Sequence, residues 1–313
     1  MLPLTPTLSP LREGREGERE AILGSGGQQR ITALTLVGPF VLVYALLFVY
    51  PTITMIAMTF TDSPLIGWGK WVGLQNYLKL ASDRLFSTAV WNTLYFVVLS
   101  VFPSTLLGLI IALGVNRLKG YWQSAVLAAF FIPYILPVSV VFRIWQWALD
   151  GEFGIYEPLF RGFFSSNMSV YRSIPAFMPV VAFVTVWWLV GFNVLLFIAG
   201  LRNISSEIYE AAELDGATRW QMFSRITWPL IWPITVLVAT IQLILQLKIF
   251  DQIYLFAAGG RTDATISMVQ LIYRTAFQKN QGGYGATVAL VLFALIVVVS
   301  VLQYQLLRAR SDR

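Results

Sequence analysis

The side chains able to do chemistry in this 313-residue chain are few. There is no cysteine and no histidine, which excludes disulfides, thiolate chemistry and the usual zinc or haem ligands within it. No Gly-x-x-x-x-Gly-Lys-Ser/Thr run occurs, so ATP binding by this chain is not expected. No carboxylate stands in the middle of an apolar run. A membrane-embedded enzyme, or a carrier driven by protons or sodium, therefore lacks its central charges. Amide chemistry remains. Asn193, Gln242 and Gln246 interrupt long apolar stretches, and the two glutamines, four apart, share one helix face. Amides in such a setting either line a path for a polar solute or tie helices together. Trp187 and Trp188 lie in the same stretch as Asn193 and offer aromatic faces for stacking on a ring-shaped solute.

A second group of residues is arranged for contact with another protein. Glu210-Ala211-Ala212-Glu213-Leu214-Asp215-Gly216-Ala217-Thr218-Arg219-Trp220-Gln221 is the longest polar-rich interval between two apolar spans in the second half. It reads as a short helix, a glycine break and a second short helix. Ile208, Ala211, Ala212 and Asp215 fall on one side at helical spacing, with Glu207, Glu210 and Glu213 as an acidic flank. Gly216 suits a helix end because it adopts backbone angles closed to other residues. Thr218 and Gln221 have the spacing of a capping box. Two small alanines beside a tight turn make a surface that another protein can approach closely. The competing reading is an amphipathic segment lying on the inner membrane surface.

The elements that must hold these residues are membrane spans. The chain is 57% hydrophobic and 12% charged, with a mean hydropathy of +0.68, and soluble domains carry about 25% charge. Several continuous apolar runs exceed the roughly 20 residues that cross a bilayer as a helix, and their continuity excludes the alternation of a β-barrel. The expected fold is all-α and polytopic, with six transmembrane helices near 33–58, 89–115, 121–149, 176–201, 230–249 and 286–307. Pro133 and Pro137 should bend the third. Gly108 and Ala112 give the second a face of small residues. Arg143 and Lys248 fall near span ends, where long side chains snorkel, and Lys248 is spaced to pair with Asp251. Residues 1–30, rich in Pro, Gly, Arg and Glu, read as a disordered cytoplasmic tail and not as a cleavable signal. Residues 31–313 form the transmembrane domain, with a cytoplasmic loop at 202–229. An even span number puts both termini on one side. The basic residues number twelve on the side of the termini and eight on the other, which makes the termini and the loop cytoplasmic. The net charge of +6 is explained by that bias, and a nucleic-acid partner is not expected.

Glu210-Ala211-Ala212 is followed by Gly216 six positions after the Glu, Ile226 ten after the Gly, and Pro229 three later. This spacing resembles the "EAA" signature of binding-protein-dependent ABC importer permeases. Trp228 is a departure, since Leu usually precedes the Pro. Further patches resemble the sugar-permease branch, the maltose and glycerol-phosphate type. They are Val72-Gly73-Leu74-Gln75-Asn76-Tyr77, Asn92-Thr93, Phe153-Gly154-Ile155, Phe250-Asp251-Gln252-Ile253-Tyr254 with Gly259-Gly260, Tyr273 to Phe277, and Gly283-Tyr284-Gly285. Ala257 and Ala258 stand where a Thr is common. The resemblance covers nearly everything after residue 30.

The resemblance implies a MetI-like ABC permease fold and a permease subunit of an importer for a sugar or sugar-like solute, without cofactor or metal. It implies a second permease subunit, two ATP-binding subunits, an extracytoplasmic solute-binding protein and a bacterial or archaeal cytoplasmic (inner) membrane. Glu210, Ala211, Ala212 and Gly216 would dock on the ATPase, and Ile226 and Pro229 would anchor the loop's return into span 5. Asn193, Gln242 and Gln246 are the pathway candidates. The alternative is a self-contained secondary transporter or channel, which often shows paired repeats with broken, charged helices; no clear repeat is visible here.

Overall fold

The computed structural model describes residues 35–150, 154–155, 174–257 and 263–308. The expected tail at 1–30, together with Phe153, Ala258, Gly259-Gly260 and the arginines at 161, 172, 261, 310 and 313, lies outside them. The chain divides into two units, Met1–Ala57 and Met58–Arg313. The first contributes most of α1, Thr35–Met58, an apolar helix with no buried residue in its span window.

The second unit is helical. Its elements are α2 (Gln75–Ser82), α3 (Arg84–Val115), α4 (Gly120–Ile135), α5 (Val138–Ala148), α6 (Ile174–Arg202), α7 (Ser206–Leu214), α8 (Arg219–Leu247), α9 (Asp251–Phe256), α10 (Met268–Tyr273) and α11 (Gly282–Arg308). Among the described residues the strand-like pairing is a single antiparallel bridge, Thr61 with Trp71. Five helices, α1, α3, α6, α8 and α11, are long and apolar enough to cross a membrane, and α4 with α5 makes a sixth if the bent pair is one span.

α6 is apolar on all sides, as a helix within a membrane or a protein core is. It is the most buried of the candidate spans. Its Phe177, Val181 and Val184 pack with Phe142 of α5 and with Ile253 and Phe256 of α9. Its Val190, Val194 and Phe197 pack with Leu109 and Ala112 of α3 and Ile231 of α8. A third cluster joins Ala89 of α3 to Met268 and Leu271 of α10 and Val288 of α11.

The expected bend in the third span is present and belongs to one proline. Pro133 is accommodated inside α4, whereas the chain breaks at Pro137 and the axes of α4 and α5 differ by 98°. Leu136 is extended, at φ −69° and ψ 139°, as a residue before proline prefers. The break takes the Leu136 carbonyl out of the helical ladder, and the Trp188 indole N–H donates to it at 3.2 Å.

Span 5 differs from expectation. The sequence reading ends a second short helix and begins the span at Leu230. In the structure α8 is continuous from Arg219, so Ile226 and Pro229 are helical. A π turn at Phe223–Thr227 makes this possible. Pro229 has no N–H, and its ring would clash with the Arg225 carbonyl in a regular helix. Widening the preceding turn, with Trp228 N–H reaching the Phe223 carbonyl, removes that conflict. The same solution recurs in α1, where a π turn at Ala45–Val49 precedes Tyr50-Pro51. Pro229, read from the sequence as lying just before a span, is thus a helix interior, as Pro51 is within the first span.

The N-terminal end of α3 is tied to its surroundings by side-chain amides and hydroxyls. Asn92 Nδ2 donates to the carbonyls of Ala264 (2.8 Å) and Ile266 (3.0 Å). Thr93 Oγ1 accepts from Met268 N–H at 3.0 Å. Asn76 Nδ2 donates to the carbonyls of Thr59 (2.9 Å) and Thr61 (2.8 Å). Several residues of the sugar-permease patches are therefore anchors for irregular backbone. Lys248 and Asp251 do not pair; the ion pair found among the described residues joins Arg274 to Asp263.

Candidate coupling loop and polar network

α7 is built as a short helix closed at both ends. The Ser205 hydroxyl accepts from Glu207 N–H at 3.2 Å, and Glu207 lies in the first turn, where a negative charge suits the helix dipole. At the other end Ala217 N–H reaches the Ala212 carbonyl (2.9 Å) and Gly216 N–H the Glu213 carbonyl (3.0 Å). This pair of bonds is a Schellman closure, which needs a left-handed residue at Gly216, and its φ is +76°. The Thr218–Gln221 capping box then opens α8, with Thr218 N–H donating to Gln221 Oε1 at 2.8 Å and Gln221 N–H to Thr218 Oγ1 at 3.3 Å. Four residues, Asp215, Gly216, Ala217 and Thr218, therefore join α7 to α8, and the corner is held by backbone and capping-box bonds.

The two alanines are placed differently. Ala211 and Glu210 are exposed, while Ala212 is half-buried. On the helical wheel Ala211 lies opposite Tyr209 and Glu213. Leu214, 90% exposed, and Trp220, 72% exposed, flank the Gly216 corner. Ile226 is half-buried in the π turn and Pro229 is exposed.

One contact reaches from α7 into the span. The Tyr209 and Thr227 hydroxyls are 2.9 Å apart, and Thr227 Oγ1 also donates to the Met222 carbonyl at 3.3 Å. Thr227 is buried. Sequence reasoning passed over both residues. The available signal was that Tyr209 faces away from Ala211 and that Thr227 is a polar residue at the mouth of an apolar run.

The three pathway candidates are brought together. Gln246 Nε2 donates to Gln242 Oε1 (3.1 Å), Gln242 Nε2 to Asn193 Oδ1 (2.7 Å), and Asn193 Nδ2 to the Ser104 carbonyl (3.0 Å). This chain of amides links α8, α6 and α3, and all three side chains are buried. Next to it α3 and α6 touch closely at Gly108, where an added Cβ would stand 2.7 Å from Asn193 Cβ. The small-residue face expected of span 2 is therefore the seat of α6. Trp188 is committed to the α4–α5 break, and Trp187, 40% exposed, packs edge-on to Trp145 at 5.4 Å. Among the described residues no group of three His, Cys, Asp or Glu could hold a metal ion.

Residues 104–312 match the family described as the binding-protein-dependent transport system inner membrane component. The chain is 31% identical over 272 residues to the arabinooligosaccharides transport system permease protein AraP of Bacillus subtilis (strain 168), covering 86% of each. It is 36% identical over 245 residues to the multiple sugar-binding transport system permease protein MsmF of Streptococcus mutans serotype c, covering 75% of this chain and 80% of that one. A chain in the crystal structure of a bacterial ABC transporter involved in the import of the acidic polysaccharide alginate superposes with a TM-score of 0.81 at 21% identity, over 92% of this chain and 98% of that one. The last likeness concerns the fold, which is the MetI-like permease fold. With two thirds of its length matched, and signature spacing and architecture in agreement, this chain belongs to the family of binding-protein-dependent transport system inner membrane components.

Proposed function

We propose that this chain is one of two permease subunits of an ATP-driven importer for a sugar or sugar-like solute, delivered by an extracytoplasmic binding protein and powered by two separate ATP-binding subunits. Glu210 and Ala211 present the docking surface on α7, Ala212 seats α7 on the bundle, and Gly216 sets the elbow. Ile226 and Pro229 carry the elbow into α8. Asn193, Gln242 and Gln246 are the polar groups of the path, turned on one another in this conformation and freed when α8 shifts against α6. Both termini and α7 face the cytoplasm, as the distribution of basic residues favours.

The observation that supports this reading best is the continuity of α8. A hydrogen-bonded corner at Gly216 passes into the continuous helix that carries Gln242 and Gln246. A displacement of α7 by a closing ATPase pair would therefore be delivered to the path as a rigid-body motion. The solute class rests on the relatives, whose names specify arabinooligosaccharide and multiple-sugar transport. Family membership disfavours a self-contained carrier.

The test is affinity purification from the native membrane in mild detergent. An ATPase and a second six-span chain are expected to accompany this one, and candidate sugars with their binding protein should stimulate ATP hydrolysis by the complex. A chain that purifies alone and moves solute in liposomes without ATP would overturn the proposal.

A further inference from the structure

Between α7, the start of α8 and the α3–α4 link lies a cleft of about 740 Å³. Its volume falls within the roughly 300–1,000 Å³ of small-molecule sites. Its interior is apolar, formed by Leu113, Leu201, Met222 and Phe223, which are buried or half-buried. Its exposed lining is Asn116 and Arg117 from the link, Glu213 from α7, and Arg219 and Trp220 from α8, so arginine outnumbers carboxylate two to one. Glu213 is the one carboxylate in the lining, and it pairs with neither guanidinium, since the ion pair found among the described residues lies elsewhere. Trp220, 72% exposed, is part of the same wall.

These features describe a receptor for an amphiphile with an anionic head. A guanidinium matches phosphate oxygens in a two-pronged geometry, a basic pocket between membrane helices is a known form of lipid head-group site, and tryptophan favours the membrane–water interface. The position agrees, because the cleft sits where α3 ends and the apolar part of α8 begins. A free phosphate would use the two arginines and leave the apolar interior unfilled.

We propose that this cleft binds the phosphodiester head of an acidic phospholipid between Arg117 and Arg219, with the glycerol and acyl stem against Leu113, Met222 and Phe223. Tyr209 and Thr227, the hydrogen-bonded pair that joins α7 to α8, also line the cleft. The bound lipid therefore braces the inner side of α7 while Ala211, on the opposite face, stays free. The consequence for coupling rests on the function proposed above; lipid binding itself does not.

The test uses the complex as purified from its membrane, delipidated and titrated with phosphatidylglycerol or phosphatidylcholine under native mass spectrometry. One phosphatidylglycerol per chain is expected, bound about tenfold or more tightly than phosphatidylcholine. The double variant Arg117→Gln with Arg219→Gln should lose that preference. Arg225→Gln, an exposed arginine of α8 outside the cleft, should keep it. Equal affinity for the two lipids in the unaltered protein would overturn the proposal without any variant. So would full retention by the double variant, an equal loss in Arg225→Gln, or displacement of the lipid by an equimolar amount of inorganic phosphate. The readout requires neither ATP hydrolysis nor uptake, so a complex that binds the lipid but proves not to be an importer refutes only the function proposed above.

Discussion

The hydroxyls of Tyr209 and Thr227 lie 2.9 Å apart across 18 positions of sequence, joining the exposed helix α7 to the π turn of α8. The bond matters because α7 has no buried residue of its own. The hydroxyl pair therefore supplies a side-chain tie between α7 and the span.

Tyr209→Phe removes the contact and keeps the ring. A lost hydrogen bond of this kind is worth about 1 kcal/mol, or roughly fivefold in an equilibrium. The variant should assemble in the membrane, retain ATP hydrolysis, and show a severalfold lower ratio of solute moved to ATP consumed. Reconstituted uptake measured alongside phosphate release checks this. An unchanged ratio would mean that the contact carries no force.

Gly216→Ile places a β-branched residue at φ +76°, a conformation that costs L-residues about 1–2 kcal/mol even without branching. No atom lies within 4 Å of the position a Cβ would take, so the penalty is conformational and not a clash. The chain should reach the membrane at normal levels while ATP hydrolysis becomes uncoupled from uptake. Normal uptake by this variant would remove the elbow from the mechanism.

Gln242→Leu leaves Asn193 Oδ1 without its donor and Gln246 Nε2 without its acceptor. Unpartnered buried polar groups cost about 1–3 kcal/mol each. Thermal unfolding in detergent should show a clear loss for this single change. The triple replacement Asn193→Leu, Gln242→Leu and Gln246→Leu should lose less than the sum of the three single changes, because it strands no partner side chain. Strict additivity would show that the amides act independently.

Gly108→Ala drives a methyl group to 2.7 Å from Asn193 Cβ. Overpacking of this kind costs about 1–3 kcal/mol. Gly114→Ala on the same helix meets nothing within 4 Å and should be neutral or slightly stabilising, since alanine favours a helix interior over glycine. Comparing the amounts of folded protein extracted from membranes separates the two; similar behaviour would mean that α3 and α6 have room to move apart.

The sequence by itself determined the membrane class, the span count, the helix–glycine–helix loop and the capping box at Thr218, because these depend on composition over a bilayer's thickness and on bonds between residues a few positions apart. It also singled out Asn193, Gln242 and Gln246, since a polar side chain in an apolar run needs a partner. What it left undecided was which partner. An amide at 193 finds Gln242 only when α6 and α8 are packed side by side, and Trp188 finds the Leu136 carbonyl only because Pro137 breaks the ladder across from it. The polar-rich interval ends near Trp228, so the sequence reading began the span at Leu230, beside Pro229. The tertiary structure keeps α8 continuous there, because a π turn moves the conflicting carbonyl aside. Tyr209 and Thr227 were passed over for the same reason: the contact between them, 18 positions apart, exists only once the loop folds back on the span it precedes.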